Sequence, residues 1–180
     1  MYIVKYTGPF GFIKPWTAVR DNFTFSQQFL TPSIIEGIRQ KLEVTKIIRH
    51  KLSYNAISRQ QEQTQTKGWK WEKKIKSLSK TNSILTRGVM LDPKLYLAFD
   101  NQYDAEKAEK QHICLCRNED VLLPEQMVEM SVDEFNSING FELHFDKNEQ
   151  SFIVGYNRFK NNEPMYGWIE ITGNPTGNYI

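Results

Sequence analysis

The sequence predicts an α+β chain built on a ferredoxin-like antiparallel sheet that carries insertions. Three observations lead there. Period-two strands open and close the chain, a well-signalled helix lies near its start, and the segments run strand, loop, helix, strand, basic arm, strand, short helix, strands. With 180 residues, 39% of them hydrophobic and 13% aromatic, the chain can build one core and a protruding appendage.

Residues 2–7 alternate Tyr2, Val4 and Tyr6 against Ile3, Lys5 and Thr7, the pattern of a strand. Gly8-Pro9 ends it, and Gly11 and Pro15 punctuate a loop or irregular hairpin as far as Phe29. A helix follows. The Thr31 hydroxyl can accept from a first-turn amide, Pro32 suits a position that needs no amide proton, and Ile34, Ile35, Ile38 and Leu42 share a face. Gly37 inside this helix costs about 1 kcal/mol relative to Ala, which predicts a close backbone approach there. From Ile48 to Ala56 the period returns to two. Ile48, His50, Leu52, Tyr54 and Ala56 form one face, and Arg49, Lys51, Ser53 and Asn55 form a polar face that suits RNA or plain solvent.

Residues 58–83 have too few apolar side chains for a core and predict a long exposed hairpin, with Gly68 as its turn. Lys67, Lys70, Lys73, Lys74, Lys76 and Lys80 offer contacts to phosphates, and Trp69 and Trp71 offer stacking surfaces, the combination that holds single-stranded nucleic acid. A solvated lysine-rich loop has the same charge but no use for two tryptophans. Residues 84–99 regain strand character. Asp104 can cap a short helix from Ala105 to about Gln111. After Arg117 the chain turns acidic and loop-rich, and Ser131 to Glu134 has capping-box spacing, although a short strand also fits. Residues 141–145, 152–156 and 165–171 read as three closing strands, followed by a turn-rich tail from Gly173.

Charge divides the chain sharply. Residues 46–87 hold eleven Lys and Arg against Glu62 and Glu72, whereas residues 92–150 hold five basic residues against fourteen acids. A polyanion on one surface and a protein neighbour on another would account for that split. The opening strand lacks the form of a secretory leader, and no apolar run reaches the roughly eighteen residues of a membrane span, so a cytoplasmic protein with no membrane partner is expected.

Cys114 and Cys116 are one residue apart, too close for a structural disulfide or a zinc knuckle, and two packed thiols on one side of a strand are expected. His112 lies nearby without a fourth ligand, so neither a metal nor a cofactor is called for. His50 reads as a satisfied core histidine and His144 as an ordinary strand residue.

Gly8-Pro-Phe-Gly-Phe, Lys14-Pro-Trp and above all Leu30-Thr-Pro-Ser-Ile-Ile-Glu-Gly-Ile38 resemble the amino-terminal signature of the CRISPR-associated Cas-five family. Leu85-Thr-Arg-Gly-Val-Met-Leu is similar to that family's returning strand, and Leu115-Cys-Arg-Asn-Glu-Asp to its Leu-Gly-Arg-Ser-Glu-Asp motif. The resemblance covers about residues 1–123. Glu36 stands where a basic residue is common, and Cys116 where a Gly is usual. The resemblance implies an RRM-like (RAMP-type) domain over residues 1–57 and 84–123, a thumb over 58–83 and a β-rich extension over 124–180. It implies a subunit of a Cascade-like complex that holds the 5′ repeat-derived handle of crRNA. That subunit would touch a Cas-seven-type backbone subunit and the large subunit, and meet target DNA only indirectly. Together with the basic stretch, it marks Lys14, Trp16, Arg20, Thr31, Ser33, Arg49, Lys51, Asn55, Arg59, Lys67, Trp69, Lys70, Trp71, Lys73, Lys74, Lys76, Arg87 and Arg117 as RNA-binding residues, the helix start contributing free amides.

One branch of the family cleaves pre-crRNA without metal. Here that chemistry would fall to His112, Lys110 and Tyr54, with His50 or Tyr6 as further candidates for moving protons between a 2′-hydroxyl and a leaving 5′-oxygen. A binding subunit without catalysis is the primary expectation, a ribonuclease the alternative, and an unrelated single-stranded RNA-binding module the third. Gly-rich phosphate loops, nucleophile elbows and His-Glu-x-x-His are absent from the sequence.

Overall fold

Tyr2, Val4 and Tyr6 point to one side of the first strand and Ile3 and Lys5 to the other, and that alternation builds a sheet with helices on both faces. The computed structural model describes residues 1–15, 23–64, 68–79, 83–157 and 160–177, and the backbone alone at Thr64, Lys70 and Ser83. The elements, in chain order, are β1 (Tyr2–Thr7), β2 (Phe10–Gly11), β3 (Phe23–Phe25), α1 (Pro32–Leu42), β4 (Arg49–Ser53), β5 (Ala56–Thr64), β6 (Lys70–Glu72), β7 (Ser77–Ser79), β8 (Ser83–Leu91) and β9 (Lys94–Phe99). They continue with α2 (Gln102–Ala108), β10 (Ile113–Cys114), β11 (Val121–Pro124), β12 (Val128–Glu129), α3 (Val132–Ser137), β13 (Gly140–His144), β14 (Phe152–Asn157) and β15 (Glu163–Thr172). The protein is α+β and rich in antiparallel strands. Among the described residues no helix is long and apolar enough to cross a membrane.

The main sheet runs β10-β11-β1-β9-β4-β13-β15-β14, with β12 also pairing β1. Tyr6 lies opposite Leu95, His50 opposite Leu97 and Phe141 opposite Leu52, all in antiparallel register. One face buries Val4, Tyr6, Leu52, Leu95, Leu97 and Phe99 against Ile35, Ile38 and Leu42 of α1 and Ala105 and Ala108 of α2. The other face packs Ile3 and Ala98 under Phe135 of α3. Within the expected β-rich extension over 124–180, strands β13, β15 and β14 continue the same sheet beyond β4.

Local chemistry explains most boundaries. α1 starts at Pro32 and ends at Glu43, which takes a left-handed conformation with φ 56°. Thr31 precedes it, but its side chain makes no capping bond; its carbonyl accepts from the Ile34 and Ile35 amides instead. Nor does Gly37 mark a close approach, since, its own helix backbone and chain neighbours aside, nothing among the described residues lies within 4 Å of where its Cβ would stand. α2 begins earlier than its expected start at Ala105, because Asn101, not Asp104, is the cap and accepts from the Asp104 amide at 2.8 Å. The Asp104 carboxylate turns to α1's exit and accepts from the Thr45 amide at 2.9 Å. Burial works to raise its pKa, but hydrogen bonds from Asn101, Thr45 and Lys46 outweigh that and hold it below the usual value. Ser131 and Glu134 form a complete capping box, so α3 is a helix and not a strand.

The expected strand over 48–56 is split. β4 stops at Ser53, where the Tyr54 amide donates to the Pro175 carbonyl in the tail, and β5 starts at Ala56. Similarly, residues 84–99 form two strands, turned at Asp92 with φ 48°. Cys114 and Cys116 do lie on one side of their segment, but both thiols are exposed rather than packed, with Leu115 buried between them.

Candidate nucleic-acid interface

The second sheet builds an arm. β5 and β8 pair in antiparallel register from Ala56↔Leu91 to Thr64↔Ser83, a ladder about 27 Å long. Near the body β8 is flanked on its other side by β2, antiparallel at Leu91 and Met90, and by β3, parallel from Thr86 to Gly88. In sequence between the ladder's outer ends, β6 and β7 form their own hairpin with Trp71 opposite Leu78. That hairpin turns through Lys73–Lys76, where Lys76 adopts φ 47°, and not at Gly68. Trp69 is 65% and Trp71 60% exposed, and Lys73, Lys74 and Lys76 are exposed on the turn. Two indoles held out of the core beside three ammonium groups match the composition of a single-strand binding surface.

The basic residues singled out by sequence have separate fates. Arg59 is exposed on β5, its guanidinium carbon 5.5 Å from the centre of the Phe23 ring. Lys14 and Ser33 are exposed as well, whereas Thr31 is buried. Asn55 is exposed and donates to the Asp92 carboxylate at 3.1 Å. It also borders a groove of about 380 Å3 lined by Tyr54, Lys94, Tyr96 and Asn139. Trp16, Arg20, Lys67 and Lys80 lie outside the described residues, as does the Lys70 side chain.

Four arginine and lysine expectations give way to internal roles. Arg49 donates to both Glu142 oxygens, at 2.8 and 2.6 Å, and to the Asn136 side chain, with its guanidinium 4.7 Å above the Phe135 ring. Lys51 is 0% exposed, and its ammonium donates to the Asn136 and Ile138 carbonyls and the Thr172 hydroxyl at 2.9, 3.0 and 3.1 Å. Burial pushes that ammonium's pKa below its ordinary value. The polar face of β4 is therefore the seat of α3 and of strands β13 and β15. Arg117 closes on buried Asp120 with bonds of 2.9 and 2.6 Å. Arg87 bonds Thr24 at 3.0 Å and Glu62 at 3.3 Å, and it and Arg117 both lie over the Phe12 ring, at 5.8 and 5.5 Å. Each of the four is held by partners within the protein, Arg87 by residues of the arm's own strands. Glu36, where the resemblance led to a base, pairs with Arg39 on the exposed side of α1 at 2.8 Å.

The residues proposed for cleavage do not converge. Lys110 and His112 are exposed at the exit of α2, whereas the buried Tyr54 hydroxyl accepts from Gln28 at 2.7 Å. His112 adjoins β10 and Tyr54 adjoins β4, four strand steps apart in the sheet, about 19 Å. Tyr6 donates to the Ala108 carbonyl at 2.6 Å, and burial raises its pKa. His50 is buried as expected but not satisfied. Its ring stacks on Phe145 at 5.8 Å, and among the described residues its Nε2 has no hydrogen-bond partner. Burial, then the nearby His144 and Arg49, push its pKa down to about 3, so the ring is neutral. His144 does more than fill a strand, because it bonds Glu170 at 2.7 Å and stacks on Trp168 at 4.3 Å. Glu142, His144 and Glu170 place ligand atoms within 4.8 Å of one another. Arg49 already holds both Glu142 oxygens, so the trio reads as a hydrogen-bonded network that joins β13 to β15 and β4.

Sequence reasoning missed Phe23 and Phe25, which β3 displays on the arm at 49% and 43% exposure. The alternation Phe23-Thr24-Phe25 was a strand signal too short to weigh. Its partner, β8, lies some sixty residues later in the chain. No protein-family model matches this sequence, and no curated protein matches it.

Proposed function

We propose that this protein is a non-catalytic RNA-binding subunit that grips single-stranded RNA along its arm, in the manner of a Cas-five subunit holding the 5′ handle of crRNA. The observation that carries the reading is the arm itself, a basic hairpin that leaves two tryptophans and a turn of lysines in solvent. The strand order β11-β1-β9-β4 supports a ferredoxin-like core beneath it, with α1 between β1 and β4 and α2 between β9 and β11 on one face. The separation of Tyr54 from His112 favours holding RNA over cutting it. On this reading the acidic second half of the chain faces protein neighbours, a Cas-seven-type backbone subunit and the large subunit, within a cytoplasmic complex.

The test is binding of labelled repeat RNA in EDTA across a salt series. The protein should bind the RNA and leave it intact. Changing Lys73, Lys74 and Lys76 together to Ala should lower affinity and reduce the log–log salt slope by about 2, at roughly 0.7 per lost phosphate contact on a single strand. Site-specific cleavage, or an unchanged slope in the triple variant, would refute the assignment.

A further inference from the structure

The arm has a second aromatic surface at its base, separate from the tryptophans of its hairpin. β3 is pinned along β8: the Ser26 amide donates to the Gly88 carbonyl at 2.8 Å, and the Ser26 hydroxyl accepts from the Ile13 amide at 2.9 Å. Thr24 points inward, buried, and accepts from Arg87 at 3.0 Å. Strand alternation then forces Phe23 and Phe25 outward together. Their rings meet edge to face, with centres 5.0 Å apart and planes at 79°. Gly88 permits this, because any Cβ there would run into the Phe25 ring. Arg59, opposite Gly88 on β5, lies over Phe23.

Among the described residues of β3, β5 and β8, the charge of this face is one-sided. Within β3, β5 and β8 the one carboxylate is Glu62, which register places on the opposite face beside Arg87. Arg59's own face continues through exposed Gln61 and Gln63 toward the outer end of the ladder. Ring faces, a guanidinium and exposed amides, with no acid on this face among the described residues of these three strands, are the groups that stack unpaired bases and bond their edges.

We propose that Phe23, Phe25 and Arg59 form a base-stacking platform that seats unpaired nucleobases of the RNA strand held by the arm. The proposal rests on the RNA-binding reading above and adds a contact that depends on bases rather than phosphates.

The test compares a labelled oligouridylate with an abasic ribose-phosphate oligomer of the same length. Phe23→Leu with Phe25→Leu keeps the surface apolar but removes the rings. This variant should bind the oligouridylate about tenfold to a hundredfold more weakly, keep the wild-type salt slope and bind the abasic oligomer as the wild type does. Arg59→Gln, at an exposed position that leaves the fold alone, should lose more affinity for the oligouridylate than for the abasic oligomer. Equal losses on both oligomers, or a double-Leu variant that binds oligouridylate like the wild type, overturn the platform and leave the arm's phosphate grip standing. A wild type that ignores both oligomers overturns the RNA reading and the platform with it. A wild type that self-associates through these rings, shown by a dimer the double-Leu variant abolishes, assigns the surface to a second copy and also overturns the platform.

Discussion

Replacing His50 by Phe should remove most of the protein's sensitivity to mild acid. His50 has an ordinary pKa of 6.5 and a folded value of about 3, set first by burial and then by His144 and Arg49. A histidine depressed in this way binds its proton more readily in the unfolded chain. The stability it permits is therefore complete above 6.5 and is lost as pH falls toward 3. Each pH unit inside that window is worth about 1.4 kcal/mol, so a shift from about pH 7.5 to about pH 5 should cost the wild type about 2 kcal/mol. The depressed carboxyls of Glu36, Asp104 and Glu134 have ordinary values of 4.5, 3.8 and 4.5, so their losses begin near the bottom of this interval. Phe at position 50 keeps a ring against Phe145 and removes the partnerless Nε2, whose burial costs about 1–3 kcal/mol. Urea unfolding of both proteins at the two pH values measures the difference. The variant should be at least as stable as the wild type at the higher pH and nearly flat down to the lower one. A wild type that is itself flat, or a variant that loses the same 2 kcal/mol, would refute the account of His50.

Two further changes probe the fold. Lys51→Met keeps the buried stem but leaves the Asn136 and Ile138 carbonyls and the Thr172 hydroxyl without their shared donor. It should destabilise by about 3 kcal/mol in urea unfolding, and a neutral result would mean that water replaces the ammonium. Gly37→Ala meets open space on the exposed side of α1 and should stabilise by about 1 kcal/mol, raising Tm by about 2–4 °C. A lowered Tm would show that the glycine is needed after all.

What the sequence made legible was local and periodic. The alternation in residues 2–7, the Pro32 start of α1, the capping box at Ser131 and the three closing strands all depend on neighbours within a few positions. The arm was legible too, because too few apolar residues and too many lysines exclude a core. What escaped was decided at long range. Arg49 and Lys51 look like phosphate ligands until α3 and Thr172, some ninety and one hundred and twenty residues later, close over them. Phe23 and Phe25 read as loop residues until β8 supplies a parallel edge. At Asp104 two residues could each cap a helix, and the choice went to Asn101 once Thr45 claimed the aspartate. At Gly37 the physical rule was sound but the surroundings were simply empty.

The arm leaves the main sheet after Ser53 and re-enters it at Lys94, and these two residues are register partners on adjacent strands. Everything between them is a detour within a single hairpin, so its length is free of the sheet's register. Doubling such an excursion adds only about 0.6 kcal/mol of closure entropy. The base of the detour is stitched to β2 and β3 as far out as Thr86, and among the described residues no third strand flanks the ladder beyond that point. The outer hairpin can therefore be lengthened, shortened or recomposed while the stitched base and the sheet beneath it stay as they are.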